Sequence, residues 1–316
     1  MTTLTTLNAS WQAVSPEPSA LGESPFWHPH EQMLYWVDIP GRKILRANVF
    51  MGTVQSWPMP MEPGCIAPAT RGGLVIALRD GVYRAREWGG ALTLIHRFDH
   101  DIATTRFNDG KADPLGRFWA GTMYEPRTAL QAELFSLDCR GGLAPVVERK
   151  AGDAIIANGL AWSPDAKTVY WTDTPNHVIR AWDWDAPSNT LTNGRVFHQF
   201  PMKPDGWAYG LSGDVAVYGG RPDGAAVDVQ GNYYVAMFEG RRILKLSPAG
   251  KILAEIPTPA QCPTMPCFGG DDGQTLYVTT ARYNRSAAEL ADMPQSGCVF
   301  SMRVDVPGLP TNFFND

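Results

Sequence analysis

Apolar residues occur along this chain in short runs that end at Gly, Pro, Asn or Asp, with little of the periodicity of amphipathic helices. Runs of this length and punctuation predict β-strands joined by tight turns. One segment differs: residues 287–293, Ala-Ala-Glu-Leu-Ala-Asp-Met, are rich in helix-forming residues and predict a single short helix. The pattern therefore predicts an all-β fold.

One strand–turn–strand unit is repeated through the sequence. In its clearest copy, residues 220–236, Asp223 stands between Pro222 and Gly224 and precedes an apolar strand, a turn and a second strand. Six copies start at positions 23, 66, 108, 158, 223 and 266. Four of the five intervals are about 40–50 residues, which is the period of four-stranded propeller blades. Glu, Asn, Asn and Asp begin four of the copies, and less polar residues begin the other two.

The repeats predict a six-bladed β-propeller with four-stranded blades around a central channel. Strand-like segments beginning at Trp11 and Gly297 are expected to complete one blade together and so close the ring. We expect residues 1–10 to be a disordered lead-in and residues 11–310 to form a single domain. The longest interval contains an insertion, residues 201–220, which we expect near the active-site face.

The polar residues at the repeat starts are candidate metal ligands. The first strand of a propeller blade lines the central channel, so Glu23, Asn158 and Asp223 are expected to converge at one end of it. Two carboxylates and an amide oxygen suit Ca²⁺, Mg²⁺, Mn²⁺ or Fe²⁺, and Zn²⁺ is also compatible. Three protein ligands leave coordination positions for water and substrate, as catalytic sites do. The alternative is that Asn158-Gly and Asp223-Gly are ordinary turns. That alternative does not explain Glu23, because burying a carboxylate in an apolar setting costs free energy unless it is paired or bound to a metal.

Composition and charge narrow the function classes. Hydrophobic residues make up 44% of the 316 residues, enough for a large core, and the net charge of -5 argues against a nucleic-acid partner. No apolar run has the length needed to span a membrane, and the first ten residues lack the features of a secretory signal. Five scattered cysteines favour reduced thiols and a cytoplasmic location.

Seven short motifs are spread in order over the chain, within about residues 20 to 305. They read Leu21-Gly-Glu-Ser-Pro-Phe-Trp, Val37-Asp-Ile-Pro-Gly-Arg-Lys-Ile, Arg106-Phe-Asn-Asp-Gly-Lys, Gly116-Arg-Phe-Trp-Ala-Gly-Thr-Met, Asn158-Gly-Leu-Ala-Trp-Ser-Pro-Asp, Pro222-Asp-Gly and Cys267-Phe-Gly-Gly. Together they closely resemble the regucalcin/gluconolactonase family, whose members are metal-dependent sugar lactonases on a six-bladed β-propeller. The resemblance implies that Glu23, Asn158 and Asp223 bind one divalent metal ion and that Asp223 is also the general base.

The same resemblance implies a set of substrate-binding residues. Arg106 and Asn108 match the family's substrate-contacting pair. The family tends to place an acid after Gly-Thr-Met that binds sugar hydroxyls, and here Glu125 stands about one position earlier than in regucalcin. A second Pro-Asp-Gly occupies residues 204–206, but only Asp223 is followed by the strand–turn–strand unit.

The function implied by the resemblance is hydrolysis of a sugar lactone, an aldono-lactone, to the aldonic acid in carbohydrate oxidation. The expected partner is therefore a small-molecule sugar lactone. Two alternatives stay open: a non-catalytic metal-binding or regulatory propeller with the same ligands, and a propeller esterase acting on a less polar ester. A polar lining at the channel mouth favours the sugar.

Overall fold

The computed structural model describes residues 5–7, 9–142, 144–212 and 217–316. The described chain forms six sheets arranged in a ring, in which the first strand of each blade, here called the inner strand, contacts the inner strands of its neighbours. This confirms the predicted all-β, six-bladed propeller. The predicted short helix is also present as α1 (Ala287–Asp292), where the Ser286 side chain accepts the backbone N–H of Glu289 as an N-cap.

Two short strands, β1 (Thr5–Thr6) and β2 (Gln12–Ala13), precede the first blade. The first four blades then follow in chain order. Blade 1 comprises β3 (Gly22–His28), β4 (Met33–Asp38), β5 (Lys43–Asn48) and β6 (Thr53–Pro58). Blade 2 comprises β7 (Pro63–Pro68), β8 (Leu74–Leu78), β9 (Gly81–Ala85) and β10 (Thr93–Arg97). Blade 3 comprises β11 (Thr105–Ala112), β12 (Phe118–Tyr124), β13 (Ala132–Asp138) and β14 (Val146–Ala154). Blade 4 comprises β15 (Ala157–Trp162), β16 (Thr168–Asp173), β17 (Val178–Asp185) and β18 (Thr190–Gln199).

The last two blades each include a strand from the N-terminal part of the chain. Blade 5 comprises β19 (Arg221–Val227), β20 (Tyr233–Phe238), β21 (Arg242–Leu246) and β22 (Ile252–Pro257), and blade 6 comprises β23 (Pro263–Gly269), β24 (Thr275–Thr280) and β25 (Phe300–Arg303). The N-terminal β2 completes blade 6 by pairing antiparallel with β25, as the sequence predicted for ring closure. The described part of the expected disordered lead-in differs, because β1 pairs in parallel with the outer strand β22. Residues 1–4 and 8 of that segment lie outside the described residues.

Every inner strand carries a shift in register against its partner strand. The shifts fall between Glu23 and Phe26, Pro63 and Cys65, Phe107 and Gly110, Asn158 and Ala161, Pro222 and Ala225, and Pro263 and Met265. Such bulges bend a strand and re-aim the side chains beside them. The four polar repeat starts therefore lie at or next to a bulge.

The two blades without a polar repeat start fill the same position differently. In blade 2 the bulge holds Gly64, where a Cβ atom would lie 2.4 Å from the carbonyl of Phe107 in blade 3, so the two inner strands can approach closely. In blade 6 the position holds Thr264, whose hydroxyl donates to the carbonyl of Gly22 over 2.5 Å. Blades 2 and 6 thus use the bulge for packing between blades.

Large aromatic side chains fill the space between blades. Trp36, Trp119 and Trp171 occupy the second strands of three blades and are 0–1% exposed. Their burial supplies much of the apolar area that holds the ring together. In the described part of the chain, all five cysteines are free, and no helix has the length and apolar character needed to cross a membrane.

The described residues of the insertion, 201–212 and 217–220, contain no strand or helix but are held by side chains. The rings of Trp207 and Tyr218 lie 5.0 Å apart, and the Lys203 ammonium lies 4.7 Å from the Trp207 ring. The Tyr209 hydroxyl donates to Asp292 of α1 over 2.9 Å. These contacts fold the insertion against the ring beside the cavity described below.

Candidate metal centre and substrate cavity

One end of the channel opens into a cavity of about 730 Å³. All six residues that the sequence predicted for the site line this cavity: Glu23, Arg106, Asn108, Glu125, Asn158 and Asp223. Four different blades contribute them, although they are up to 200 positions apart in the sequence. The structure thus brings the predicted residues together, while their individual roles stay predictions.

An aspartate at the end of the second strand of a blade holds the backbone that leads to the inner strand, and this occurs before both Glu23 and Asn158. The Asp38 carboxylate accepts the backbone N–H groups of Ala20 and Leu21, each over 3.1 Å, just before Glu23. In blade 4 the Asp173 carboxylate does the same for Ile155 and Ile156, just before Asn158. Since each buried N–H is satisfied, the start of the inner strand is fixed relative to its own sheet.

Glu23 and Asp223 are buried acids, 4% and 5% exposed, that have no side-chain donor or salt-bridge partner among the described residues. Burial raises the pKa of Glu23 well above its ordinary value, and the neighbouring charge of Asp223 raises it further. Burial also raises the pKa of Asp223 to about 8, against the opposing effect of Arg221. Two unpaired acids this close are costly unless a positive charge joins them.

A divalent ion fits this pair of acids. Within the described ranges, no group of three His, Cys, Asp or Glu side chains is placed to hold a metal ion. Two carboxylates with the amide oxygen of Asn158 instead form an oxygen-only set, which suits hard cations. The residues present therefore fit the metal that the sequence motifs imply.

A chain of hydrogen bonds across three blades orients Asn158. Its oxygen accepts from the Asn108 amide over 3.0 Å, and its own amide nitrogen donates to the Thr174 hydroxyl over 2.8 Å. Thr174 in turn donates to the carbonyl of Pro222 over 2.8 Å, next to Asp223. These hydrogen bonds fix which end of the Asn158 amide is available as a ligand, and hydrogen bonds of this kind orient the ligands of other metal sites. Sequence reasoning did not find Thr174, since it lies in a loop outside the repeat.

Replacing Thr174 with valine should weaken metal binding about tenfold, because the Asn158 amide loses its acceptor and can rotate. Metal titration of the chelated protein, followed by calorimetry, measures the change. Thr174→Ser keeps the hydroxyl and should restore affinity to near the wild-type value. Equal affinities for Thr174→Val and the wild type would show that the hydrogen-bond chain does not orient a ligand.

Arg106 and Glu125 form part of an ion-pair chain along one wall. The Arg106 guanidinium donates to the Phe107 carbonyl over 2.9 Å and to the Asn108 oxygen over 2.8 Å, and its Nε lies 3.5 Å from Glu125. The other oxygen of Glu125 accepts two N–H groups of Arg79, each over 2.9 Å. Glu125 is therefore placed to position Arg106 as well as to contact a substrate.

The two Pro-Asp-Gly segments have different environments. Asp223 lies on the inner strand β19 and points into the cavity, whereas Asp205 is exposed in the insertion. The choice of Asp223 from the repeat register stays a prediction.

Sequence reasoning missed a group of cations that line the same cavity. Lys203, Arg221 and Arg285 all contact the buried carboxylate of Glu239, and Arg127 lines the cavity nearby. They come from the insertion and from loops and strand ends, where no repeat marks them. Arg221 had a signal, because it stands two residues before Asp223 in the same strand.

A family model, curated relatives and a solved structure all place this chain with the same group of proteins. A sequence model of the SMP-30/Gluconolactonase/LRE-like region matches residues 21–282. The chain is 41% identical over 308 residues to the 6-deoxy-6-sulfogluconolactonase of Pseudomonas putida, covering 98% of this chain and 99% of that protein. It is 33% identical over 305 residues to regucalcin of Danio rerio, covering 95% and 96%. The crystal structure of a calcium-binding protein, regucalcin, from Agrobacterium tumefaciens superposes with a TM-score of 0.87 at 24% identity, covering 98% and 99%.

Proposed function

The chain belongs to the SMP-30/gluconolactonase/LRE-like family, and from that premise we propose that it is a lactonase that hydrolyses a sugar lactone to the open-chain aldonic acid with one divalent metal ion. The names of the relatives support the reaction class. The Pseudomonas putida relative is named for a gluconolactone whose carbon 6 carries a sulfonate. This supports a six-carbon aldono-lactone as the substrate type.

The observation that carries the proposal is the content of the cavity. Two buried carboxylates, which have no side-chain donor among the described residues, lie together with an oriented amide, an arginine and a second amide in a space of about 730 Å³. A cavity of this size accommodates a small sugar, and its polar groups suit hydroxyls better than an apolar ester. The esterase alternative is therefore less well supported.

Glu23, Asn158 and Asp223 would hold the metal ion. When bound, such an ion supplies Lewis acidity toward a carbonyl oxygen and lowers the pKa of a bound water. Asp223 is the candidate general base because its carboxylate reaches the cavity and has no competing side-chain donor among the described residues. It would take a proton from the attacking water and return it to the ring oxygen that leaves as a hydroxyl.

Arg106, Asn108 and Glu125 would bind and orient the sugar. The Arg106 guanidinium is held by Phe107 and Asn108, so the rest of its planar fork can donate to the lactone without further ordering. Asn108 bridges Arg106 and Asn158, which places the substrate-binding group next to a metal ligand.

A panel of pentono- and hexono-lactones tests the proposal. The chelated protein should show almost no hydrolysis, and adding Ca²⁺, Mn²⁺, Mg²⁺, Fe²⁺ or Zn²⁺ should restore it, as read from acid release by a pH indicator. Spontaneous lactone opening without protein is the control. Metal binding without turnover of any lactone would instead favour the non-catalytic metal-binding propeller.

A further inference from the structure

The wall formed by the insertion, β19 and the loop before α1 carries a concentration of positive charge. Lys203, Arg221 and Arg285 surround Glu239, and Arg127 reaches the cavity beside them. Glu239 is only 3% exposed, so it is a fixed internal anchor for the three cations.

The contacts within this cluster hold its members in place. Lys203 lies 3.0 and 2.9 Å from the two oxygens of Glu239, Arg221 donates over 2.8 Å and Arg285 over 3.0 Å. The Arg221 guanidinium also lies 4.8 Å from the ring of Phe238. A carboxylate shared among three cations leaves donor N–H groups on each of them for another acceptor.

Positive charge exceeds negative charge here. Arg285 is also paired with Glu289 over 2.7 Å, and Glu125 lies near Arg127, so the four cations face three carboxylates. Among the described residues, Arg127 has no salt-bridge partner, and it is exposed at the mouth of the cavity within reach of the charges of Arg221 and Glu239. Like charges that line one cavity repel each other, and a bound anion would relieve that repulsion.

We propose that Lys203, Arg127, Arg221 and Arg285 form a subsite for an anionic group (sulfonate, phosphate or carboxylate) at the end of the lactone remote from its carbonyl. This rests on the lactonase function proposed above and adds the substrate class to it. Arg221 and Asp223 are two positions apart on one extended strand, roughly 7 Å along it. The far end of a sugar held at Asp223 by its lactone group would thus be within reach of these cations.

Lys203 makes the insertion part of this subsite. The insertion carries Lys203 into the cavity, and Trp207 and Tyr218 pack around its ammonium at 4.7 and 5.9 Å. Arginine forks and lysine suit compact anions with several oxygens. The insertion would thus determine whether a charged or a neutral lactone is preferred.

Selectivity between matched lactones tests the subsite. The measured quantity is kcat/KM for a gluconolactone carrying sulfonate, phosphate or carboxylate at carbon 6, divided by kcat/KM for unsubstituted gluconolactone. Wild-type protein should prefer at least one charged lactone, and the substituent of the lactone with the highest ratio identifies the preferred anion. Lys203→Met, which keeps the apolar stem, and Arg127→Gln should each lower that ratio about tenfold, and the double variant should lower it further.

Arg149→Gln combined with Arg195→Gln is the matched control. Both arginines are exposed on outer strands, paired with Glu133 and Asp183, and their replacement removes the same charge. The control should keep the wild-type ratio, which excludes an effect of net charge. Raising the ionic strength should lower the wild-type ratio, since partly exposed charges are screened.

Binding of the open-chain acids separates this inference from the proposed function. Calorimetry on the metal-loaded protein should show tighter binding of gluconate substituted at carbon 6 by the preferred anion than of gluconate itself, and loss of that difference in the double variant. Hydrolysis with no preference for any charged lactone would overturn the subsite and leave the lactonase standing. Anion-dependent binding without hydrolysis of any lactone would overturn the lactonase and support the subsite. An unchanged ratio in the double variant would show that the cations only tether the insertion.

Discussion

Replacing Asp223 with asparagine should lower kcat for lactone hydrolysis by about a thousandfold. The substitution removes a proposed metal ligand and the proposed base together, and positioned general bases alone contribute 10²–10⁴-fold, roughly. Asparagine has nearly the same volume, so the inner strand and its bulge should be retained. The assay is lactone hydrolysis at saturating metal, with bound metal measured by elemental analysis to separate loss of the ion from loss of the base.

Asp205→Asn is the control for this experiment, because Asp205 stands in the second Pro-Asp-Gly, exposed in the insertion. It should keep near wild-type kcat. If Asp223→Asn retained more than about a tenth of wild-type kcat while Asp205→Asn lost activity, the assignment from the repeat register would be wrong.

Removing the metal should destabilise the protein, and Glu23→Gln should abolish most of that dependence. A ligand that binds only the folded state adds about 2.7 kcal/mol at a concentration 100 times its Kd, which is several degrees in Tm for a chain of this size. Glu23→Gln removes one of the two carboxylates that favour the cation. Thermal unfolding with chelator and with added metal gives the shift for each protein.

The metal-free Glu23→Gln protein should be at least as stable as metal-free wild type. A neutral amide is less costly than a carboxylate that is 4% exposed and has no side-chain donor in the described structure. Glu17→Gln is the matched control, since Glu17 is exposed and its replacement removes the same charge. A full metal-induced rise in Tm in Glu23→Gln would mean that the ion is held elsewhere.

The fold and the centre of the candidate site could be predicted from the sequence because the strand–turn–strand unit recurs, and a polar residue recurs at the start of four of its copies. Glu23, Asn158 and Asp223 stand at equivalent points of their blades, so the period that identified the propeller also located them. What the sequence did not contain is the set of register shifts, which depend on pairing between strands and re-aim the side chains.

The walls of the cavity could not be predicted in the same way. Arg79, Arg127 and Lys203 come from loops and the insertion, whose positions depend on tertiary contacts instead of on the period. Glu125 shows the limit for a single residue: it was expected to bind sugar hydroxyls, but its two bonds to Arg79 depend on a loop of another blade. The pairing of β1 with β22 likewise has no signal in a stretch rich in Thr.

The pairing of β2 with β25 has a consequence for biosynthesis. Glu23 lies next to blade 6, because the Thr264 hydroxyl of that blade donates to the carbonyl of Gly22, the residue before Glu23. Blade 6 is complete only when β25 is present. Gln12 pairs with Ser301, so β2 has no partner strand until the chain has been made through Ser301. A shorter nascent chain already contains Glu23, Asn158 and Asp223 but lacks the strand that completes the blade next to Glu23. The proposed metal site is therefore expected to form late in synthesis, once β25 has paired with β2.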